Sequence, residues 1–134
     1  MPITYECNDQ RRLITVTVTE PYSVTDILGV IDRQAAEGAW GHATLYDLRG
    51  MRDMSPKIDL EQMADRVRAV AAGCERGPVG IAINPRPALF LAFLTYAHLT
   101  KELMAVEVLL TASQLNAWVA RNVRGGSSPA VEPT

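Results

Sequence analysis

Polar side chains at the ends of two short apolar runs are the strongest candidates for chemistry. If these runs are neighbouring parallel strands, their carboxyl ends meet at one edge of the sheet, where ligands of open α/β sheets bind. Arginine binds phosphate or carboxylate bidentately, and the helix that begins near Pro87 would present its N-terminus beside the arginines. The alternative is a solvated network, Asp47 with Arg49 or Asp53 with Arg52, that binds no ligand. The candidate residues for an anion or ligand site are Asp47, Arg49, Arg52, Asn84 and Arg86.

Histidine and cysteine spacing predicts no metal site and no nucleophilic catalysis. His42 and His98 stand far apart, and neither Cys7 nor Cys74 belongs to a metal-binding or redox spacing. We therefore expect two buried free thiols, no cofactor, no metal and no catalytic residue. An enzyme that uses Asp47 or Asp53 remains a third hypothesis, but the sequence names no positioned partner for either carboxylate.

The chain begins with the pattern of a hairpin followed by a helix. Residues 3–7 and 13–19 read as strands, and in the second one apolar residues alternate with threonines, which predicts one buried face and one wetter face. Ser23 and Asp26 have the spacing of a capping box, and Gly38 ends the helix that follows.

Three nearly continuous apolar runs then predict strands buried on both faces of a parallel sheet. They cover residues 43–48, 79–83 and 105–110, with one helix between each pair and a last helix that begins at Thr111 with Gln114 in capping-box position. The second of the intervening helices runs from about Pro87 to Met104. The predicted fold is α/β, with a mixed sheet, the order β-β-α-β-α-β-α-β-α and right-handed crossovers.

Composition limits the class of protein. A chain of 134 residues with 48% hydrophobic residues fits one globular domain, here residues 1–124, and the segment 125–134 has the composition of a disordered tail. The net charge of −2 gives no reason to expect nucleic acid as a partner. No secretory signal and no membrane-spanning run are visible, so stable membrane insertion is not expected and the cytoplasm is the expected compartment.

The helix after Pro87 is apolar almost all round, whereas a helix that lies on a sheet needs one apolar stripe. Leu89, Phe93, Tyr96 and Thr100 form one stripe, and Leu91, Leu94 and His98 form another. The second stripe indicates a homodimer interface, a pocket for an apolar ligand or a transient membrane contact, unless neighbouring elements such as the loop 51–57 bury it. The interface candidates are Phe90, Leu91, Leu94 and His98.

The element order, together with Tyr46-Asp47-Leu48-Arg49-Gly50 at the end of the third strand, resembles the STAS superfamily. This superfamily includes the bacterial anti-sigma-factor antagonists and is structurally akin to the CRAL-TRIO lipid carriers. The resemblance is closest to its small stand-alone bacterial proteins and covers residues 3–124. It implies a regulatory module with a phosphorylatable serine after the Asp-Leu-x-Gly strand end.

Ser55 is the serine in the matching loop, but the usual Asp-Ser-Ser or Asp-Ser-Thr cluster is replaced by Asp53-Met54-Ser55-Pro56. Phosphate on Ser55 would be favoured by the start of the next helix. The plainer alternative is an N-cap serine with proline at the first helical position.

The sequence thus favours a non-enzymatic STAS-like regulatory or protein-interaction module, dimeric through the helix 87–104, without the usual phosphoserine switch. Its partners would be a second copy of the chain and another regulatory protein. The alternative is a carrier or sensor of a small apolar or amphipathic ligand held between that helix and the loop 51–57.

Overall fold

The computed structural model describes residues 3–20, 22–51, 57–70 and 76–123. It confirms an α/β fold with a five-stranded mixed sheet and four helices in the predicted order. The elements are β1 Ile3–Asn8, β2 Leu13–Thr19, α1 Val24–Ala36, β3 Ala43–Gly50, α2 Lys57–Val70, β4 Val79–Ala82, α3 Pro87–Leu99, β5 Val106–Leu109 and α4 Ala112–Asn122.

Strand order in the sheet follows chain order, β1-β2-β3-β4-β5. β1 pairs antiparallel with β2, and every other pair is parallel. Crossovers of one hand that always step in the same direction place their helices on the same face of the sheet. The main core accordingly unites buried residues of α1, α2 and α3 with one face of the strands, for example Ile31, Val67 and Phe93 with Val16 and Ile81.

Among the described residues, α4 is the one helix that covers the other face of the sheet. Trp118 of α4 is 1% exposed and lies in a second, smaller core with Leu45, Ala82 and Leu109. α4 contacts β4 and β5, whereas Thr15 on this face of β2 is only half-buried. The expected alternation in β2 is confirmed, but helices do not cover both faces along the whole parallel sheet, because the three crossover helices all lie on the first face.

Helix starts follow the predicted capping residues. The Ser23 hydroxyl accepts from the backbone N–H of Asp26, whose carboxylate accepts from the Ser23 N–H, so the capping box is complete. At α4 the Thr111 hydroxyl accepts from the Gln114 N–H, while the Gln114 side chain accepts from the N–H of Leu110.

Two predictions on the chain are wrong. The helix that begins at Pro87 ends at Leu99, short of Met104, where Thr100 takes the C-cap position with its buried hydroxyl donating to the Tyr96 carbonyl. Cys7 is free as expected but exposed, since it lies near the end of the edge strand β1. Cys74 and the segment 125–134 lie outside the described residues. No helix in the described ranges is long and apolar enough to cross a membrane.

The contact between α4 and β4 depends on Gly80. A Cβ at this position would lie 2.8 Å from Cε2 of Trp118, which is buried and cannot withdraw. We expect Gly80→Ala to lower the free energy of unfolding in urea by about 1–3 kcal/mol through overpacking. A Cβ at Gly29 in α1 would have no atom within 4 Å, so Gly29→Ala should raise the free energy of unfolding by about 0.5–1 kcal/mol. Equal stability of the Gly80→Ala variant and the wild type would contradict the packing of α4 on this face.

Candidate functional site

The outer face of α3 is the most apolar exposed surface in the described part of the chain. Leu91 is 65% exposed, Leu94 41% and Leu99 36%, and no other large hydrophobic side chain among the described residues is exposed. His98 on the same face is exposed as well, and Phe90 is half-buried. The structure thus places Leu91, Leu94 and His98 on the surface, as an interface would require.

The other stripe of α3 explains why this helix is apolar on both sides. Leu89, Phe93 and Tyr96 are buried against the sheet and α2, and Thr100 at the helix end is fully buried. The two stripes predicted from the sequence are therefore one core face and one solvent face. Burial of the inner stripe accounts for the stability of the helix, but it leaves the leucines of the outer stripe without a structural reason.

α3 lies at the end of the row of crossover helices, beside an open strand edge. α3 is the last crossover helix, and in the described ranges it packs on α2 and β5. β5 is the last strand of the sheet, so the outward backbone groups of Val106–Leu109 have no strand beside them among the described residues. Edge strands of this kind are templates for pairing with another chain. The open edge of β5 thus lies next to α3, which contacts this strand.

Two residues of the predicted anion site, Asp47 and Arg49, are bonded to each other. Arg49 donates from Nε and Nη2 to the two carboxylate oxygens of Asp47, at 2.9 and 2.8 Å. This bidentate bond holds the pKa of Asp47 below its usual value and raises the pKa of Arg49. A carboxylate with a lowered pKa is poorly suited to donate a proton near neutral pH, so the geometry gives no support to Asp47 as a general acid.

Asn84 and Arg86 follow β4 as predicted. The Asn84 amide donates to the Met51 carbonyl at 2.8 Å, which ties the segment after β4 to the end of β3. Arg86 is the exposed N-cap residue of α3, and its side chain makes no capping bond. The Arg49 guanidinium and the Asn84 amide are therefore both bonded to protein atoms. Arg52, Asp53 and Ser55 lie outside the described residues, and the anion site stays a prediction.

An apolar cavity lies between the sheet and the three helices of the first face. Its volume is about 30 Å³, and its lining includes Met51 and Met63 with Phe93 and Tyr96 of α3. One water molecule needs roughly 10–15 Å³ on this scale, so the cavity holds about two. It lies beside the segment where the sequence places an apolar ligand, but a drug-sized ligand fills roughly 300–1,000 Å³.

Tyr46 lines this cavity, and its hydroxyl accepts a hydrogen bond from a buried arginine. Arg76 is 4% exposed, and its Nη2 donates to the Tyr46 hydroxyl at 3.1 Å and to Oε1 of Gln34 at 2.9 Å. Its guanidinium also stacks on the ring of Trp40, 4.4 Å from the centroid. Burial, with Tyr46 nearby, raises the pKa of Tyr96 far above its ordinary value.

Sequence reasoning missed Arg76, because nothing distinguishes it from a solvated loop arginine. It lies in the polar stretch Glu75-Arg76-Gly77-Pro78 directly before β4. Gln34 carried no signal either, although it is fully buried and donates to the Thr44 hydroxyl at 3.0 Å. These polar contacts fix the sheet, α1 and the segment before β4 against one another.

No protein-family model, no curated protein and no solved structure matches the chain. The resemblance to the STAS superfamily therefore rests on the element order and on Asp47-Leu48-Arg49-Gly50.

The Asp47–Arg49 bond has a measurable consequence for titration. Because the folded pKa of Asp47 is lowered, its stabilising effect is present above the unfolded value of about 3.9 and is lost as the pH falls through the folded pKa. We expect Arg49→Gln to raise the Asp47 pKa toward that value, measured by an NMR titration of the carboxyl carbon. Arg121→Gln removes the Arg121–Glu107 ion pair on α4 and β5 and should leave the Asp47 titration unchanged. An Asp47 pKa that does not respond to Arg49→Gln would contradict this cause.

Proposed function

We propose that the chain is a non-enzymatic protein-interaction module of the STAS-like regulatory kind, and that it forms a homodimer through the outer face of α3. The observation that carries this proposal is the exposure of Leu91 and Leu94 on the outer face of α3, with Leu99 exposed at the end of the same helix. Exposed contiguous apolar surface on a small protein marks an interaction site more often than a chance arrangement.

A second copy of the chain is the occupant that fits this surface best. α3 contains no Asp, Glu, Lys or Arg between Pro87 and Leu99. In a two-fold interface each residue near the axis meets its own copy, so a charged residue there would face a like charge. A neutral leucine stripe meets no such repulsion. A partner with a charged docking face would leave its charges desolvated against these leucines.

The size of the helix indicates how the dimer would be held. A helix of 13 residues is about 20 Å long and about 10 Å wide, whereas a standard interface buries about 800 Å² on each partner. Two α3 helices alone would thus give a weak, concentration-dependent dimer. The open edge of β5, a strand that α3 contacts, would extend the surface by pairing with the second copy.

In this proposal, regulation depends on protein contact and does not require phosphorylation. The resemblance implies a serine switch after β3, but the sequence there reads Met54-Ser55-Pro56 in place of the serine cluster. A kinase that recognises the antagonist pattern would not find its usual target. Assembly through α3, with itself or with a regulatory protein, would then carry the signal.

A charged substitution in the stripe tests the dimer. We expect light scattering after size exclusion to show a mass that rises with concentration toward twice 14.7 kDa. Leu91→Glu removes the burial of a leucine, about 1.5–3 kcal/mol per copy, and sets two carboxylates near the axis, so it should raise the dissociation constant at least about tenfold. Ala120→Glu, an exposed position on α4, adds the same charge on the opposite face and should not change the mass.

A monomer at every concentration would contradict the proposal. So would a dimer that Leu91→Glu leaves intact while circular dichroism shows both variants folded. Because Leu91 is exposed, its substitution should change the free energy of unfolding by less than about 0.5 kcal/mol.

A carrier of a small apolar or amphipathic ligand is the second candidate, and the cavity bounded by Met51, Phe93 and Tyr96 favours it. Because the cavity holds about 30 Å³, a lipid-like ligand would have to part α3 from the sheet. We expect native mass spectrometry of freshly purified protein to show a bound species if this function is correct. Repeated recovery of ligand-free protein, with no rise in melting temperature on addition of fatty acid, would exclude it.

A further inference from the structure

Three potential metal ligands meet at the end of the β1–β2 hairpin. The ligand atoms of Cys7, Asp9 and His42 all lie within 4.8 Å of one another. His42 Nε2 is 2.9 Å from Oδ1 of Asp9, and the Cys7 thiol donates to the same oxygen at 3.4 Å. A thiol, a carboxylate and an imidazole are the three side-chain groups that zinc prefers.

The fold brings these residues together, although His42 follows Asp9 by 33 positions. Asn8 and Leu13 are paired in the hairpin, and Leu13 is paired in turn with Ala43 of β3. Asp9 directly follows Asn8 and His42 directly precedes Ala43, so both lie next to these paired residues. The Ala43 N–H donates to the Arg12 carbonyl at 2.9 Å and fixes the hairpin loop against the start of β3.

The separations suit a tetrahedral ion. With Zn–S bonds of about 2.3 Å and Zn–O and Zn–N bonds of about 2.0 Å, tetrahedral geometry separates the ligand atoms by roughly 3.3–3.5 Å. Two of the three separations, 3.4 Å for sulfur to oxygen and 2.9 Å for oxygen to nitrogen, need shifts of a few tenths of an ångström, and the third, sulfur to nitrogen, lies within 4.8 Å and would close on binding. We propose that Cys7, Asp9 and His42 bind one Zn²⁺ ion, with water as the fourth ligand.

Exposure leaves the site open to an ion. The Asp9 side chain is 87% exposed and Cys7 is exposed, whereas the His42 side chain is 9% exposed and held in place. The hydrogen bond with Asp9 holds the carboxylate beside the imidazole, so little reorganisation precedes binding. The sulfur ligand selects zinc or another borderline metal over Mg²⁺ and Ca²⁺, which take oxygen ligands.

Binding changes the protonation of two ligands. Partial burial and the bond to Asp9 raise the pKa of the Cys7 thiol, so the metal-free thiol holds its proton. Zn²⁺ replaces that proton, which leaves to solvent as the Zn–S bond forms. Coordination through Nε2 moves the imidazole proton from Nε2, where it is donated to Asp9, to Nδ1, a buried atom without a hydrogen-bond partner among the described residues. We therefore expect an affinity about 10- to 100-fold below that of a site whose histidine has such a partner.

Cobalt(II) titration of the tag-free, reduced full-length chain tests the proposal, because Co²⁺ bound to thiolate gives a charge-transfer band in the near ultraviolet. We expect one Co²⁺ per chain, displaced by Zn²⁺, and a rise in melting temperature with added Zn²⁺. Cys7→Ser should abolish the band. Asp9→Ala should weaken cobalt binding by at least about tenfold, by the loss of one of three ligands. Both positions are exposed, so both variants should fold.

The chain supplies matched controls, because it has one further cysteine and one further histidine. Cys74→Ser and His98→Gln should bind Co²⁺ like the wild type. Absence of the band in the wild type would overturn the proposal. A band that survives Cys7→Ser, or that Cys74→Ser removes, would overturn it as well by assigning the metal to other ligands. The dimer proposal is unaffected by any of these results.

Discussion

The structure depends on one topological constraint: the five strands lie in the sheet in the order in which they occur in the chain. Each parallel connection therefore steps toward the same edge, and α1, α2 and α3 line up on one face. α3 is the last of this row and has α2 on one side only. The face of α3 opposite its buried stripe is not covered by any described residue, and it carries Leu91 and Leu94.

The same constraint leaves the second face to α4, which follows the last strand. Gly80 lets the Trp118 ring approach β4 closely, so one aromatic side chain covers the β4–β5 end of this face. Toward β1 and β2 the face carries mostly half-buried or exposed polar side chains, such as Thr4, Glu6 and Thr15. The hydrophobic surface that remains exposed is thus concentrated on α3 and not spread over the open part of the sheet, which is the basis for assigning interaction to α3.

Three sets of polar groups in the described part of the chain have different roles. The buried Arg76, bonded to Gln34 and Tyr46, fixes the interior, and the Asp47–Arg49 pair is satisfied internally at the carboxyl ends of the strands. The third set, at the amino ends of the parallel strands, is the only one of the three with an exposed carboxylate and an exposed thiol side by side. The proposed metal site therefore lies at the opposite end of the sheet from the carboxyl ends of the parallel strands, where ligands of open α/β sheets bind.

Local patterns predicted the elements well, and long-range contacts set the limit. The alternation of Ile14 and Val16 with threonines, and the spacing of Ser23 and Asp26, depend on neighbours in sequence, so β2 and the start of α1 could be read directly. The two stripes of α3 follow from helical periodicity in the same way. The end of α3 at Leu99 could not be predicted from the sequence. The burial of Thr100, the C-cap residue, depends on the tertiary fold.

The site residues show the same difference between local and long-range contacts. Asp47 and Arg49 stand two positions apart, and their pairing was one of the alternatives read from the sequence. His42 meets Asp9 only through the pairing of β2 with β3, and no spacing rule joins residues so far apart. The burial of Arg76 is likewise set by the packing of elements that are distant in the chain.

The most direct test of dimerisation through α3 is an isotope-filtered NMR experiment on a mixture of leucine-methyl-labelled and unlabelled copies of the full chain. It detects only contacts between one copy and another. We expect intermolecular contacts from the methyl groups of Leu91 and Leu94 to α3 of the second copy. Intermolecular contacts confined to another surface, or none at a concentration at which light scattering shows a dimer, would contradict the assignment of the interface to α3.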